Sequence, residues 1–309
     1  MNKKGKIRKL LYVIGIISGG ALLIYQLILT VKAIPGVEFS QNALLSIISS
    51  IIFAFFGIGF QIAGWFVLIN SGKFTINLIS VVKGYSVSFL PRYLPGTILG
   101  YISRSEWLLQ KYSIPFTLSN SISIWEIISS LIANILIVLF YLINRFLPAA
   151  RLLVIVLPII PLLLHRILNL SFFYLNKKRL RIFGKILKID SIPIQQWYLC
   201  VLSFLFHWLL LGFSLLQILL ALGVSNLNFL KVVFSGNLSW LSGFFVFFAP
   251  AGLGYREATL SYLLTDLFTI SEGVGNIASS FFRLITIIAE LIWIITGILI
   301  GRRNKNRIL

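Results

Sequence analysis

Arg256 and Glu257 stand side by side in the segment Ala249–Leu260, directly after Pro250, Gly252 and Gly254. A Gly-x-Gly break ahead of a helix leaves forward-pointing N–H groups without intrahelical partners, and such groups favour anions. Glu257, in the first turn, suits that positive end; Arg256 does so only when something negative joins it. A guanidinium is also the side chain suited to a two-point grip on phosphate or carboxylate. The pattern predicts an anion seat: the backbone opens at Pro250, Gly252 and Gly254, Arg256 holds the anion, and Glu257 balances the empty site. The alternative is an Arg–Glu pair that only pins the turn.

A related pattern lies earlier in the chain. In Phe89–Trp107 the run Pro95-Gly96, Gly100, Arg104-x-Glu106 answers the later one, so Arg104, paired with Glu106, joins the candidate site and Pro95, Gly96 and Gly100 mark its backbone break. Two polar stripes follow these segments. Ser119, Ser123, Glu126, Ser130 and Asn134 are spaced 4, 3, 4 and 4 apart, and Asn276, Ser279, Arg283, Thr286 and Glu290 are spaced 3, 4, 3 and 4. Each set occupies one helical face. Charges at bilayer depth face the protein interior and mark function, so Glu126, Arg283 and Glu290 are candidate binding residues. The competing readings are polar glue between helices and a Glu290–Arg283 pair. Lys83 and Arg92 either line the cytoplasmic hairpin or snorkel to the headgroups, and snorkelling is the expectation. His165 and His207 stand alone, and no metal site or cofactor is expected. Cys200 is read as a small buried apolar side chain.

The elements that must position these residues are membrane helices. Of 309 residues, 58% are hydrophobic and 11% charged, far from the roughly one quarter charged of a soluble domain. Apolar runs at Leu10–Val31, Leu44–Ile69, Leu118–Ile143, Trp197–Ala221 and Val274–Ile300 reach the roughly 17–25 residues that a helix needs to span hydrocarbon. A further span is expected around 152–175; it holds Pro158 and Pro161, so it must extend or kink. Trp65, Trp107 and Trp197 are placed as interfacial anchors.

The net charge is +19, and the excess gathers in Lys3–Lys9, Arg166–Lys188 and Arg302–Arg307. Basic flanks beside spans mark the cytoplasmic side and suit an anionic leaflet, so nucleic acid is not the expected partner. Both termini and a basic loop at 166–190 are then cytoplasmic, in the plasma membrane. The chain reads as one all-α polytopic membrane domain, 1–309, of about six full spans and two re-entrant hairpins. Its halves, about 10–143 and 149–300, form an inverted-topology repeat, the arrangement that places broken helices at a substrate site near the midplane.

The segments Arg92–Pro115 and Ala249–Leu264 resemble the two signature regions of the lysylphosphatidylglycerol synthase transmembrane family, a flippase-like membrane domain, and the resemblance covers nearly the whole chain. It implies a helical bundle that moves, or helps to move, a phospholipid or lipid-linked headgroup between leaflets. Carried over by that likeness are Pro95, Gly96, Gly100 and Arg104, and Gly252, Gly254, Arg256 and Glu257. The family usually has Gly where Ala251 stands, which removes some backbone freedom here. A soluble aminoacyl-transfer domain, present in the synthase members, is not expected in a chain of this length, so lysyltransferase activity is not expected either.

The function expected is translocation of an anionic phospholipid or polyprenyl-phosphate-type lipid, without an evident ATP-binding loop. Two alternatives stand beside it: a membrane-embedded lipid or glycan transferase, and a non-transporting partner subunit of a lipid-modifying enzyme. A homo-oligomer is also compatible with the sequence.

Overall fold

The computed structural model describes residues 39–72, 74–92, 99–147, 156–177, 181–182, 185–186, 191–246 and 249–305, together with 21, 24, 25, 28 and 30–32. The protein is an all-α multi-pass membrane protein. Five described helices are long and apolar enough to cross a bilayer: Ala43–Ile69, Phe116–Phe146, Val156–Asn176, Ile194–Ala221 and Glu272–Ile300.

In chain order the elements are α1 (Ala43–Ile69), α2 (Leu78–Val87), a single turn at Phe89–Arg92, α3 (Leu99–Tyr112), α4 (Phe116–Phe146), α5 (Ile160–Lys177), α6 (Ile194–Ala221), α7 (Phe229–Phe245), α8 (Tyr255–Phe268) and α9 (Glu272–Lys305). Between α5 and α6 the basic stretch forms a minimal antiparallel ladder, Arg181–Ile182 against Lys185–Ile186. Most of the expected first span, Leu10–Val31, lies outside the described residues, as do Pro95 and Gly96. The described residues from 21 to 32 are helical.

The span expected around 152–175 extends rather than breaks. It runs from Val156 to Asn176, with Pro158 in a leading turn and Pro161 just inside α5. Proline is tolerated in a first turn because its missing N–H would have no intrahelical acceptor there.

Both interrupted regions begin in the same way. Asn77 Oδ1 accepts from Ser80 N–H at 2.8 Å, and Asn228 Oδ1 accepts from Lys231 N–H at 3.2 Å. Each asparagine caps a short helix, satisfying one of the free N–H groups of its first turn.

By its internal packing the chain divides into two compact units. The first comprises Met1–Ile58, Phe89–Leu99 and Trp208–Trp293; the second comprises Gly59–Ser88, Gly100–His207 and Ile294–Leu309.

In the first unit, α7 and α8 run back along each other as a helical hairpin. Thr30 Oγ1 donates to the Asn276 carbonyl at 3.3 Å and shares a 2.9 Å hydrogen bond with Ser280 Oγ. Ser50 Oγ donates to the Ser214 carbonyl at 2.8 Å. Lipid tails supply no hydrophobic drive for helix association, so small residues and such polar contacts hold spans together.

In the second unit the core is aromatic. Trp125, Trp197 and His165 form a cluster with ring centroids 5.2 to 5.8 Å apart, and His165 Nε2 lies 2.7 Å from the Ile192 carbonyl. The histidine is thus a packing residue. Trp65 and Trp197, expected as interfacial anchors, are only 1% and 0% exposed; they sit near helix ends but inside the protein, packed on aromatic partners. Cys200 is wholly buried.

Candidate functional site

The first unit holds the broken turn between α7 and α8. Ala251 has φ 50° and ψ 21°, Gly252 has φ 67° and Gly254 has φ 79°. Three left-handed residues within four positions reverse the chain at the hairpin's tip. Glycine takes that conformation freely, but Ala251 takes it against the contact of its Cβ with the following carbonyl.

The reversal sets the three charges. Glu257 is the third residue of α8, and its Oε2 accepts from the Gly254 N–H at 2.7 Å. This closes the helix N-terminus from inside the chain, as the acidic member of a capping box does. The other oxygen, Oε1, lies 3.5 Å from Arg283 Nε on α9. Glu257 is 3% exposed and the Arg283 side chain 15%. Arg256 lies half-buried in the same turn, its guanidinium 5.4 Å from the Trp240 ring centroid. A Cβ at Gly243 would stand 2.6 Å from Arg256 Nε, and one at Gly252 would stand 2.8 Å from it. The two glycines are therefore the floor on which this arginine rests. Asn276, one end of the α9 stripe, accepts from Ser261 Oγ on α8 at 2.7 Å and fixes α9 against the hairpin.

In the second unit the charges are closed more tightly. Arg104 on α3 meets Glu126 on α4 fork to fork, with Nη1 to Oε1 at 3.0 Å and Nη2 to Oε2 at 2.8 Å. Both residues are 1% exposed. Tyr85 O–H donates to the same Oε1 at 2.7 Å. The guanidinium lies 4.2 Å from the Tyr85 ring centroid, 4.7 Å from Tyr101 and 5.4 Å from Trp65. Aromatic faces attract a cation through their quadrupole, the more so where water is excluded.

The two units thus use one device with its charges exchanged. Where α3 supplies the cation and α4 the anion, α8 supplies the anion and α9 the cation.

The expected stripes are interior faces. Ser119, Ser123, Glu126, Ser130 and Asn134 on α4 are all buried. On α9, Asn276 and Ser279 are buried, while Arg283, Thr286 and Glu290 are half-buried. Arg104 does not share a site with Glu106, which is exposed on the opposite side of α3; its partner is Glu126. The carboxylate at Arg283 is Glu257. Gly100 is buried in α3 and Lys83 is half-buried. Sequence reasoning missed Tyr85, Tyr101, Trp65 and Trp240, which enclose the two arginines. Trp240 lies three residues before Gly243, on the same face of α7, and that spacing was the one available signal.

No family model, curated protein or solved structure matches the chain.

Proposed function

We propose that the chain translocates an anionic phospholipid or polyprenyl-phosphate-type lipid between leaflets, and that the headgroup is held at the broken turn of the first unit. The observation that carries this reading is the grouping of Arg256, Glu257 and Arg283 around a turn of left-handed backbone within a bundle of apolar helices. A charge in such a place costs about 2.5 kcal/mol or more and is retained where it has work to do. Irregular backbone at membrane depth is stable where protein or water satisfies it, and the Gly254–Glu257 hydrogen bond satisfies part of this turn.

In this reading the α7–α8 hairpin is re-entrant, both termini face the cytoplasm, and the membrane is the plasma membrane. The likeness of Arg92–Pro115 and Ala249–Leu264 to the lysylphosphatidylglycerol synthase transmembrane family supports the same function. The Arg104–Glu126 fork is assigned to holding the fold, because its two guanidinium arms already meet carboxylate oxygens.

Purified protein in liposomes is expected to move fluorescently labelled phosphatidylglycerol between leaflets, and R256A and R283A are expected to abolish movement while keeping a monodisperse folded profile. Transport by both variants at the wild-type rate would refute the assignment.

A further inference from the structure

The seat for an anion at the start of α8 already contains one. Glu257 Oε2 takes the Gly254 N–H at 2.7 Å, while Oε1 faces Arg283 Nε at 3.5 Å and makes no hydrogen bond. Glu257 is buried, with 3% of the residue exposed. It therefore spans the two groups that would grip a phosphate, the Gly254 amide and the guanidinium of α9. One grip is short and the other long.

From this geometry we infer that Glu257 is an internal competitor for the headgroup site: an incoming phosphate binds by displacing its carboxylate from Gly254 N–H and Arg283. The inference rests on the headgroup reading above and adds what controls access to that site. Replacing one anion by another leaves the buried amide with an acceptor both before and after the exchange. It also acts as a filter. A ligand must offer Gly254 and Arg283 more than a carboxylate already offers, and a tetrahedral phosphate can bridge donors that lie in different planes. A neutral headgroup offers neither grip. The second unit shows the contrast in distance: at Arg104 both carboxylate oxygens are within 3.0 Å of guanidinium nitrogens, against 3.5 Å at Arg283.

Glu257→Gln removes the competing charge while keeping the shape. Binding of soluble dihexanoylphosphatidylglycerol and of inorganic phosphate is measured by calorimetry on the full chain in neutral detergent, for wild type and E257Q. Tightening of about tenfold to a hundredfold in E257Q is expected, the range set by loss of one charge-assisted competitor. Tightening for the lipid alone identifies a lipid headgroup as the ligand. Tightening for both probes identifies the phosphate group as what is recognised. Tightening for inorganic phosphate alone upholds the competitor but refutes the headgroup reading. Equal or weaker binding by E257Q, with wild type binding the lipid, overturns the competitor and leaves the headgroup reading standing. Absence of binding by both proteins overturns both.

If E257Q does not fold, the Gly254 amide resonance of the wild-type chain, followed in isotope-labelled protein, decides. Displacement requires it to move on titration with dihexanoylphosphatidylglycerol and to stay in place with dihexanoylphosphatidylcholine present at the same concentration. A Gly254 resonance that ignores the anionic lipid overturns the inference.

Discussion

Arg104 and Glu126 meet through a hydrogen bond of 3.0 Å to Oε1 and an ion-pair contact of 2.8 Å to Oε2, each residue 1% exposed, with Tyr85 donating a second hydrogen bond to Oε1. Such a pair is a poor guide to net stability, because desolvating two ions offsets most of their attraction. Removing one partner is another matter. R104A or E126A strands a buried charge and is expected to cost about 3–5 kcal/mol, read as a lower midpoint of thermal unfolding in detergent. The exchanged double variant R104E/E126R should recover part of that loss. R104K should not, because an ammonium cannot reproduce the planar fork.

Tyr85→Phe removes a single hydrogen bond to a charged acceptor and leaves the ring beneath the guanidinium. The expected loss is about 1.5–3 kcal/mol, smaller than for either charge deletion. A Y85F midpoint as low as that of E126A would show that the ring, not the hydroxyl, had been displaced.

Gly243 is the contact on which Arg256 lies, with the site of a Cβ 2.6 Å from Nε. Valine there must push the arginine off its place beside Trp240. Overpacking of this kind costs about 1–3 kcal/mol, and the expected functional result is transport lost as in R256A. Wild-type transport by G243V would mean that Arg256 works from some other position.

Ala251 holds φ 50°. Glycine would relieve a strain of about 1–2 kcal/mol and give back about 0.4–1 kcal/mol through its freer unfolded chain. A251G should therefore raise the unfolding free energy by up to about 1.6 kcal/mol, seen as a small rise in the thermal midpoint. A fall would indicate that the alanine methyl, in a residue 6% exposed, contributes more through packing than its backbone loses.

Several parts of this molecule were open to reading from the residues. The spans follow from apolar length, and the reversal at 249–254 follows from Pro250, Gly252 and Gly254, which suit little else. The stripes through Glu126 and Arg283 follow from helical spacing, because a charge in a long apolar segment must turn inward. Partners were harder to read. Arg104 and Glu126 are 22 residues apart, and only the packing of α3 on α4 brings them together; nearness in sequence pointed instead to Glu106, which α3 turns outward. The same limit applies to Glu257 and Arg283. Trp65 and Trp197 were misplaced for a related reason. A tryptophan near the end of a span suits the interface or an aromatic core equally well, and the choice depends on neighbours contributed by other helices.

Cys200 is the one cysteine in the chain and is completely enclosed within α6. A sulfhydryl so sheltered gives maleimide and spin-label reagents no purchase, so any thiol introduced elsewhere becomes a unique reporter in an otherwise unaltered background. Pairs of such reporters, one on α8 and one on α9, could follow the hairpin through a turnover cycle without first re-engineering the natural sequence.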